Sequence, residues 1–278
     1  MSNILEKIDT IPTLPSIIER LNGVIYKPQT NAKEVAKILS MDPALTSKIL
    51  RIVNSAFYGL PNRITSITHA IIMLGFNTVK NVAISSSVLD IFKRNAADIN
   101  FLKEIWKHCI AVASCAKILS KHCGQVLTEE FFISGLLHDI GYIVLYVYQY
   151  EKFLEFIEKC KSSTEPPILV EKSIFGYDHQ EIGGYLFKKW NMPKILEESA
   201  SYHHIPLLAQ EHNFTVSIVS VADNLAKALS LGNSGSIFTE SLPPELVDAL
   251  NLNALNWELI LNDILREYNA ALVFMEML

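Results

Sequence analysis

Apolar side chains recur three and four residues apart along most of this chain and never alternate with period two for long. That rhythm predicts amphipathic helices and no sheet. In DPALTSKILRIVNSAFYG, Leu45, Ile49, Ile52, Val53 and Phe57 fall on one helix face; Asp42-Pro43 opens the helix as N-cap and N1, and Gly59 is expected to end it. Upstream, Asn31-Ala-Lys-Glu34 reads as a capping box before VAKIL. Downstream, Ser66 to Leu74 forms a short helix stopped at Gly75, and Asn77 to Phe92 forms the next.

The polar stretch KRNAADIN (93–100) reads as a hinge. Residues 101–122 and 129–147 then form two long helical stretches, and SSTEPP (162–167) a loop. Asp178-His-Gln-Glu181 is a second capping box, opening a helix to about Trp190. Asn191-Met-Pro193 breaks that helix and starts another, which runs to His203. Residues 213–231 are helical, LGNSGS (231–236) is a flexible turn, and Ser241-Leu-Pro-Pro begins a closing pair of helices. The expected fold is all-α with two helical lobes, residues 1–98 and 99–232, and a helical extension, 233–278, packed on them.

With 278 residues, 50% hydrophobic and 19% charged, the chain is too apolar for a disordered protein. No uncharged run reaches the roughly 20 residues a bilayer requires, and the N-terminus lacks a secretory h-region. No membrane association is expected, and a cytoplasmic location is. Cys109, Cys115, Cys123 and Cys160 form no CxxC pair, which suits reduced core residues. The net charge of −5 is unevenly shared: residues 1–100 carry 11 basic against 7 acidic groups, a net of +4, and residues 101–278 carry 13 against 22, a net of −9. There is no basic stripe, so nucleic acid is not an expected partner.

Histidine placement carries the candidate chemistry. His108, His138, His179, His203 and His204 all lie in the acidic half, with Asp139 directly after His138 and Asp223 in VADNLAKAL. Asp139 lies between Leu136-Leu137 and Ile140, so a helix that turns it inward must pair it with a cation or a metal. His179 falls in the first turn of its helix, where the macrodipole favours neutral imidazole. His203 and His204 are about 100° apart on a helix and can serve one site only where the helix ends, which Pro206 provides. Glu104 shares a helix face with His108 and is a further, weaker ligand candidate. These nitrogen and oxygen donors are too many for one tetrahedral zinc. They suit one or two divalent ions such as Fe or Mn. His69, His122 and His212 are assigned structural places.

The second half resembles the HD superfamily of metal-dependent phosphohydrolases, through His108, the His138-Asp139 pair and Asp223. His179 and His203-His204 extend the likeness to the HD-GYP cyclic-di-GMP phosphodiesterases. Over residues 10–230 the chain is more similar to the HDOD (HD-related output domain) family of bacterial signalling proteins. LPSI, DPALTSKILRIVNSAFYG, ITSITHAIIMLGFNTVKNVAIS, FISGLLHDIGYIVL, FGYDHQEIGGYLFKKWNMP and YHHIP carry that resemblance.

The resemblance implies a regulatory module that acts through a signalling protein partner, with a retained metal site and no catalysis. The alternative it implies is a phosphohydrolase of nucleotides or cyclic dinucleotides, with Asp139 bridging the metals as the catalytic ligand. Two departures favour the first. Tyr142 stands where HD-GYP enzymes have a lysine, leaving a phenol to bond a ligand or phosphate, and the GYP-containing loop after the paired histidines is missing. Lys188 and Lys189 are the nearest basic groups by sequence and read as a solvated helix face.

Overall fold

A computed structural model describes residues 11, 16–25, 30–93, 96–162, 164–233, 235 and 239–277 of the chain. The described residues contain helices and no strands. They divide into two compact units, one of residues 12–94 with 269–278 and one containing residues 95–268. The predicted hinge at 93–100 falls partly outside the described residues, at 94 and 95.

In the N-terminal unit, helices α1 (Ser16–Ile25), α2 (Ala32–Leu39), α3 (Pro43–Val53) and α4 (Ile67–Lys93) enclose Leu21, Leu39, Ile49, Val53, Ala70 and Val79. The caps are local. Asn31 accepts the N–H groups of Lys33 and Glu34, and Asp42 accepts that of Leu45 at 2.9 Å. Helix α3 ends at Asn54, five residues short of Gly59. The Asn54 amide donates to the carbonyls of Leu50 and Ile64 and accepts the Ile64 N–H at 2.7 Å, peeling the chain off the helix. Gly59, at φ 55°, turns the loop that follows. Gly75 interrupts α4 at φ 84°, ψ 166°, where the glycine stop was expected. A 3₁₀ segment, Leu272–Met277, completes this unit, with the Phe274 ring edge-on to Phe57 at 5.5 Å.

The other unit is built on α5 (Ile99–His122), which packs against α6 (Thr128–Leu137) and α12 (Asn213–Ala228). Between α6 and α12 come α7 (Ile140–Tyr148), α8 (Tyr150–Ser162), α9 (Pro167–Phe175), α10 (His179–Lys189) and α11 (Lys194–Tyr202). The closing helices are α13 (Pro244–Ala249) and α14 (Trp257–Ala271). Ala111, Val112, Cys115 and Leu119 of α5 meet Val219, Ala222 and Ala226 of α12, and Leu246, Ile260 and Ile264 of the closing helices join the same cluster. Each fully buried Leu or Ile contributes about 1.5–3 kcal/mol, so the closing helices add materially to this core.

Two sequence expectations are corrected here. The helix expected over 129–147 is two, α6 and α7, broken at His138 and Asp139 because Asp139 (φ −94°, ψ 23°) leaves helical geometry. The expected flexible turn at 231–236 is packed where described: the Asn233 N–H donates to the Glu104 carbonyl at 3.1 Å, and a Cβ on Gly232 would lie 2.1 Å from the His108 backbone nitrogen. Two stretches, Ile67–Lys93 and Thr128–Tyr148, are long and apolar enough to span a bilayer by composition, although each carries charged residues and neither is the uncharged run sought in the sequence. Within the second, 89% of the most apolar window is buried in the protein. The four cysteines are free, and burial pushes the Cys109 and Cys115 thiols up.

One carboxylate pins the approach to α12. Glu198, buried on α11, accepts the N–H groups of Gln210, Glu211 and His212 at 3.3, 3.2 and 2.8 Å. Burial pushes its pKa up, but these hydrogen bonds outweigh burial and hold it below the usual 4.5. With the folded value below the unfolded one, the stabilisation is present above about pH 4.5 and fades as pH falls through the lowered value. Glu198→Gln is expected to lose about 1–3 kcal/mol in urea unfolding at neutral pH. The gap to wild type should close in acid; a gap that persists unchanged to pH 3 contradicts the assignment.

Candidate metal centre

The break between α6 and α7 is where the site begins. His138 keeps helical backbone and its Nδ1–H donates to the Gly135 carbonyl at 2.7 Å, which leaves Nε2 as a lone-pair donor. Asp139, one residue on, divides its two oxygens. Its Oδ2 lies 3.3 Å from His138 Nε2 and 3.6 Å from His108 Nε2. Its Oδ1 lies 3.5 Å from His203 Nε2 and 3.6 Å from His179 Nε2. From α12, Asp223 Oδ1 comes to 3.0 Å of His108 Nε2 and 3.8 Å of His138 Nε2. His179 Nε2 stands 3.0 Å from His203 Nε2 and 3.1 Å from His204 Nε2.

The structure therefore brings seven of the candidates into two half-sites that meet at Asp139. One holds His108, His138 and Asp223; the other holds His179, His203 and His204. Helix α11 ends at Tyr202, so the adjacent His203 and His204 can both face His179. Glu104 is not brought in: its half-exposed carboxylate is taken by Lys107 Nζ at 2.6 Å. Lys188 and Lys189 sit in the last turn of α10, about 15 Å of helix from His179. Of the histidines given structural places, His122 approaches Asp263 at 3.3 Å and His212 stands at the N-cap position of α12 without a capping bond from its side chain.

The donors fit metal ions. His108 Nε2, His138 Nε2 and Asp223 Oδ1 are buried without a hydrogen-bond partner, a loss of roughly 1–3 kcal/mol each unless a cation satisfies them. The Nδ1 of His179 donates to Glu171, and that of His203 to the Ser199 carbonyl at 3.0 Å, so their facing Nε2 atoms are lone pairs pointed at each other. Five imidazole nitrogens and the carboxylate oxygens of Asp139 and Asp223 converge with no soft thiolate among them, a donor set suited to divalent ions of hard or borderline character.

Titration follows from the crowding. Burial pulls the His138 imidazole down, but Asp139 and Asp223 outweigh it and hold its pKa up to about 10. A bound ion would take the place of that proton. Burial pushes Asp139 and Asp223 up, yet His138 and its neighbours for the first, and Lys227 for the second, keep both well below the usual carboxylate range. His203 is pushed down to about 4 by burial, and His204 is pushed well down by the same cause. His179 departs from expectation. Burial lowers its pKa, but the Glu171 carboxylate more than compensates, and the value is raised despite the helix N-terminus.

Glu171 and Lys227 are site residues that periodicity did not reveal. Glu171, fully buried on α9, accepts the His179 N–H and Nδ1–H at 2.6 and 2.8 Å and the Tyr142 hydroxyl at 2.6 Å. Tyr142, stacked on the His179 ring at 4.1 Å, thus serves the metal side and is not free for phosphate. The only sequence signal for Glu171 is a charge inside PILVEKSIF. Lys227 lies one turn beyond Asp223 in VADNLAKAL and pairs with it at 2.6 Å, a spacing legible in the sequence.

Gly141 makes the junction possible. A Cβ there would lie 1.9 Å from the His179 carbonyl oxygen, so α7 reaches the start of α10 only without a side chain. Gly141→Ala is expected to cost about 1–3 kcal/mol or more in chemical unfolding. A variant as stable as wild type would mean that this contact does not set the spacing.

An all-α fold with a two-part histidine–aspartate cluster defines a helical HD-type protein. The HDOD domain family matches residues 11–206, and the chain belongs to that family. Among solved structures, an HDOD domain protein of unknown function from Geobacter sulfurreducens is 25% identical with a TM-score of 0.79, over 97% of this chain and 95% of its own. A protein provisionally named a phosphohydrolase from Shewanella amazonensis SB2B is 23% identical at TM-score 0.76, over 99% and 98%. One provisionally named a signal transduction protein from Marinobacter aquaeolei VT8 is 22% identical at TM-score 0.76, over 100% and 61%. These last two show the fold alone. The chain spans about half the length, or less, of the curated relatives it matches, as with an uncharacterized Treponema pallidum protein that is 26% identical over 91% of this chain and 48% of its own.

Proposed function

We propose that this chain is a cytoplasmic signalling module of the HDOD type, organised around a two-ion metal centre and acting on a protein partner without turning over a phosphoester. The observation that carries this is the place of Tyr142. Where the HD-GYP resemblance expects a lysine for phosphate, a buried phenol is bonded to Glu171 and packed on His179. The site's other cation, Lys227, already has its charge on Asp223. The ligands are also closed in: His108, His138, Asp139, His179, His203 and Asp223 are each at most 3% exposed. A divalent ion there supplies Lewis acidity and a cross-link between helices. Glu171 orients His179, and Tyr142 orients Glu171.

Hydrolysis of a phosphoester is the second reading, favoured by the complete ligand set and by Lys227 as a buried cation beside it. In that case Asp139, shared by both half-sites, is the catalytic ligand, and ion-assisted lowering of the pKa of water supplies the nucleophile.

Elemental analysis of the purified full chain is expected to find two ions per molecule, both lost in Asp139→Ala. Glu171→Ala is expected to weaken metal binding about 10–100-fold. Phosphodiester and cyclic-dinucleotide substrates should show no turnover above background with the metal-loaded protein. Turnover that vanishes in Asp139→Ala would establish the hydrolase instead. A wild-type chain that takes up no metal removes the centre from both readings.

A further inference from the structure

The chain after α12 supplies a contact to the centre that lies outside the family match, which ends at residue 206. Glu240 is fixed by its own backbone, whose N–H donates to the Asn224 side chain at 2.8 Å, one residue beyond Asp223 on α12. Its carboxylate Oε1 stands 3.3 Å from His204 Nδ1. On the other side of the same ring, His204 Nε2 faces His179 Nε2 at 3.1 Å, and the His204 backbone N–H donates to Gln180 Oε1 at 3.0 Å. Three other inward histidines find their Nδ1 partners within the matched span: the Gly135 carbonyl for His138, Glu171 for His179 and the Ser199 carbonyl for His203. For His204, whose side chain is 12% exposed, the Glu240 carboxylate of the extension stands at an ion-pair distance of 3.3 Å from Nδ1.

We infer that Glu240 is a positioning residue for the second half-site. It accepts the Nδ1 proton of His204, fixes the ring with Nε2 toward His179, and so sets the affinity of that half-site for its ion. The inference rests on the two-ion centre proposed above. A carboxylate on the far nitrogen of a ligand histidine selects the tautomer and raises ligand basicity, and its loss lowers metal affinity about 10–100-fold. The first half-site, His108 with His138 and Asp223, has no hydrogen bond or ion pair with Glu240 among the described ones and feels it only through the charges of Asp223 and Lys227, so the larger effect falls on the second half-site. The extension thereby makes occupancy of one half of the centre depend on its own docking to α12.

The test is a Mn²⁺ titration of the metal-stripped full chain, read by calorimetry and by electron paramagnetic resonance. Wild type is expected to bind two ions and show the signal of a coupled pair. Glu240→Ala is expected to bind the first ion nearly as wild type does and the second about 10–100-fold more weakly, with the uncoupled Mn²⁺ signal persisting through the first equivalent. Because Glu240 acts through His204, adding Glu240→Ala to His204→Ala is expected to change the second affinity no further. Unchanged second-ion binding in Glu240→Ala, or losses that add in the double variant, overturns the inference and leaves the two-ion centre standing. If wild type itself binds no second ion, the centre fails and the inference with it.

Discussion

The site turns on one carboxylate. Asp139 is buried and charged, and its two oxygens face different histidines, so a partner that satisfies the lone pairs of one leaves those of the other to be satisfied separately. An unpaired charge at that depth would cost several kcal/mol. The fold answers with side chains from every direction: His108 from the middle of α5, His138 from the end of α6, His179 from the start of α10, the His203–His204 pair beyond α11, and Asp223 from α12. The break at residue 139 is what lets a carboxylate from an apolar run reach that meeting point.

Around this lies a set of groups whose effect is orientation. Glu171 receives two donors from His179 and one from Tyr142, and Glu240 meets the far side of His204. They fix rings that have little freedom left once buried, so the donor atoms are aimed before any ion arrives. Such preorganisation suits a centre that holds a conformation as well as it suits one that performs chemistry.

Much of this was legible from the sequence, for physical reasons that also explain the gaps. The Asp178–Glu181 box, the stop at Gly75 and the break at Asn191–Pro193 depend on interactions spanning three or four residues, and each stands where it was expected. The helix break at 138–139 did not show because Leu136, Leu137, Ile140 and Ile143 continue the apolar rhythm through it. Asn54 ended α3 early through a bond to Ile64, ten residues away. The seven inward ligands could be proposed together because histidine and aspartate are costly in apolar helices. Glu171 and Glu240 remained hidden because their roles come from a tertiary partner, eight residues off in one case and 36 in the other, and a lone charge inside PILVEKSIF does not identify the first.

The tyrosine at 142 also bears on how such a protein changes over generations. A lysine introduced there would find its ammonium beside the Glu171 carboxylate rather than free for a phosphate. It would draw Glu171 from the His179 ring and lose the stacking that the phenol makes with it. A lysine at 142 would therefore be open to a phosphate only if position 171 changed together with it.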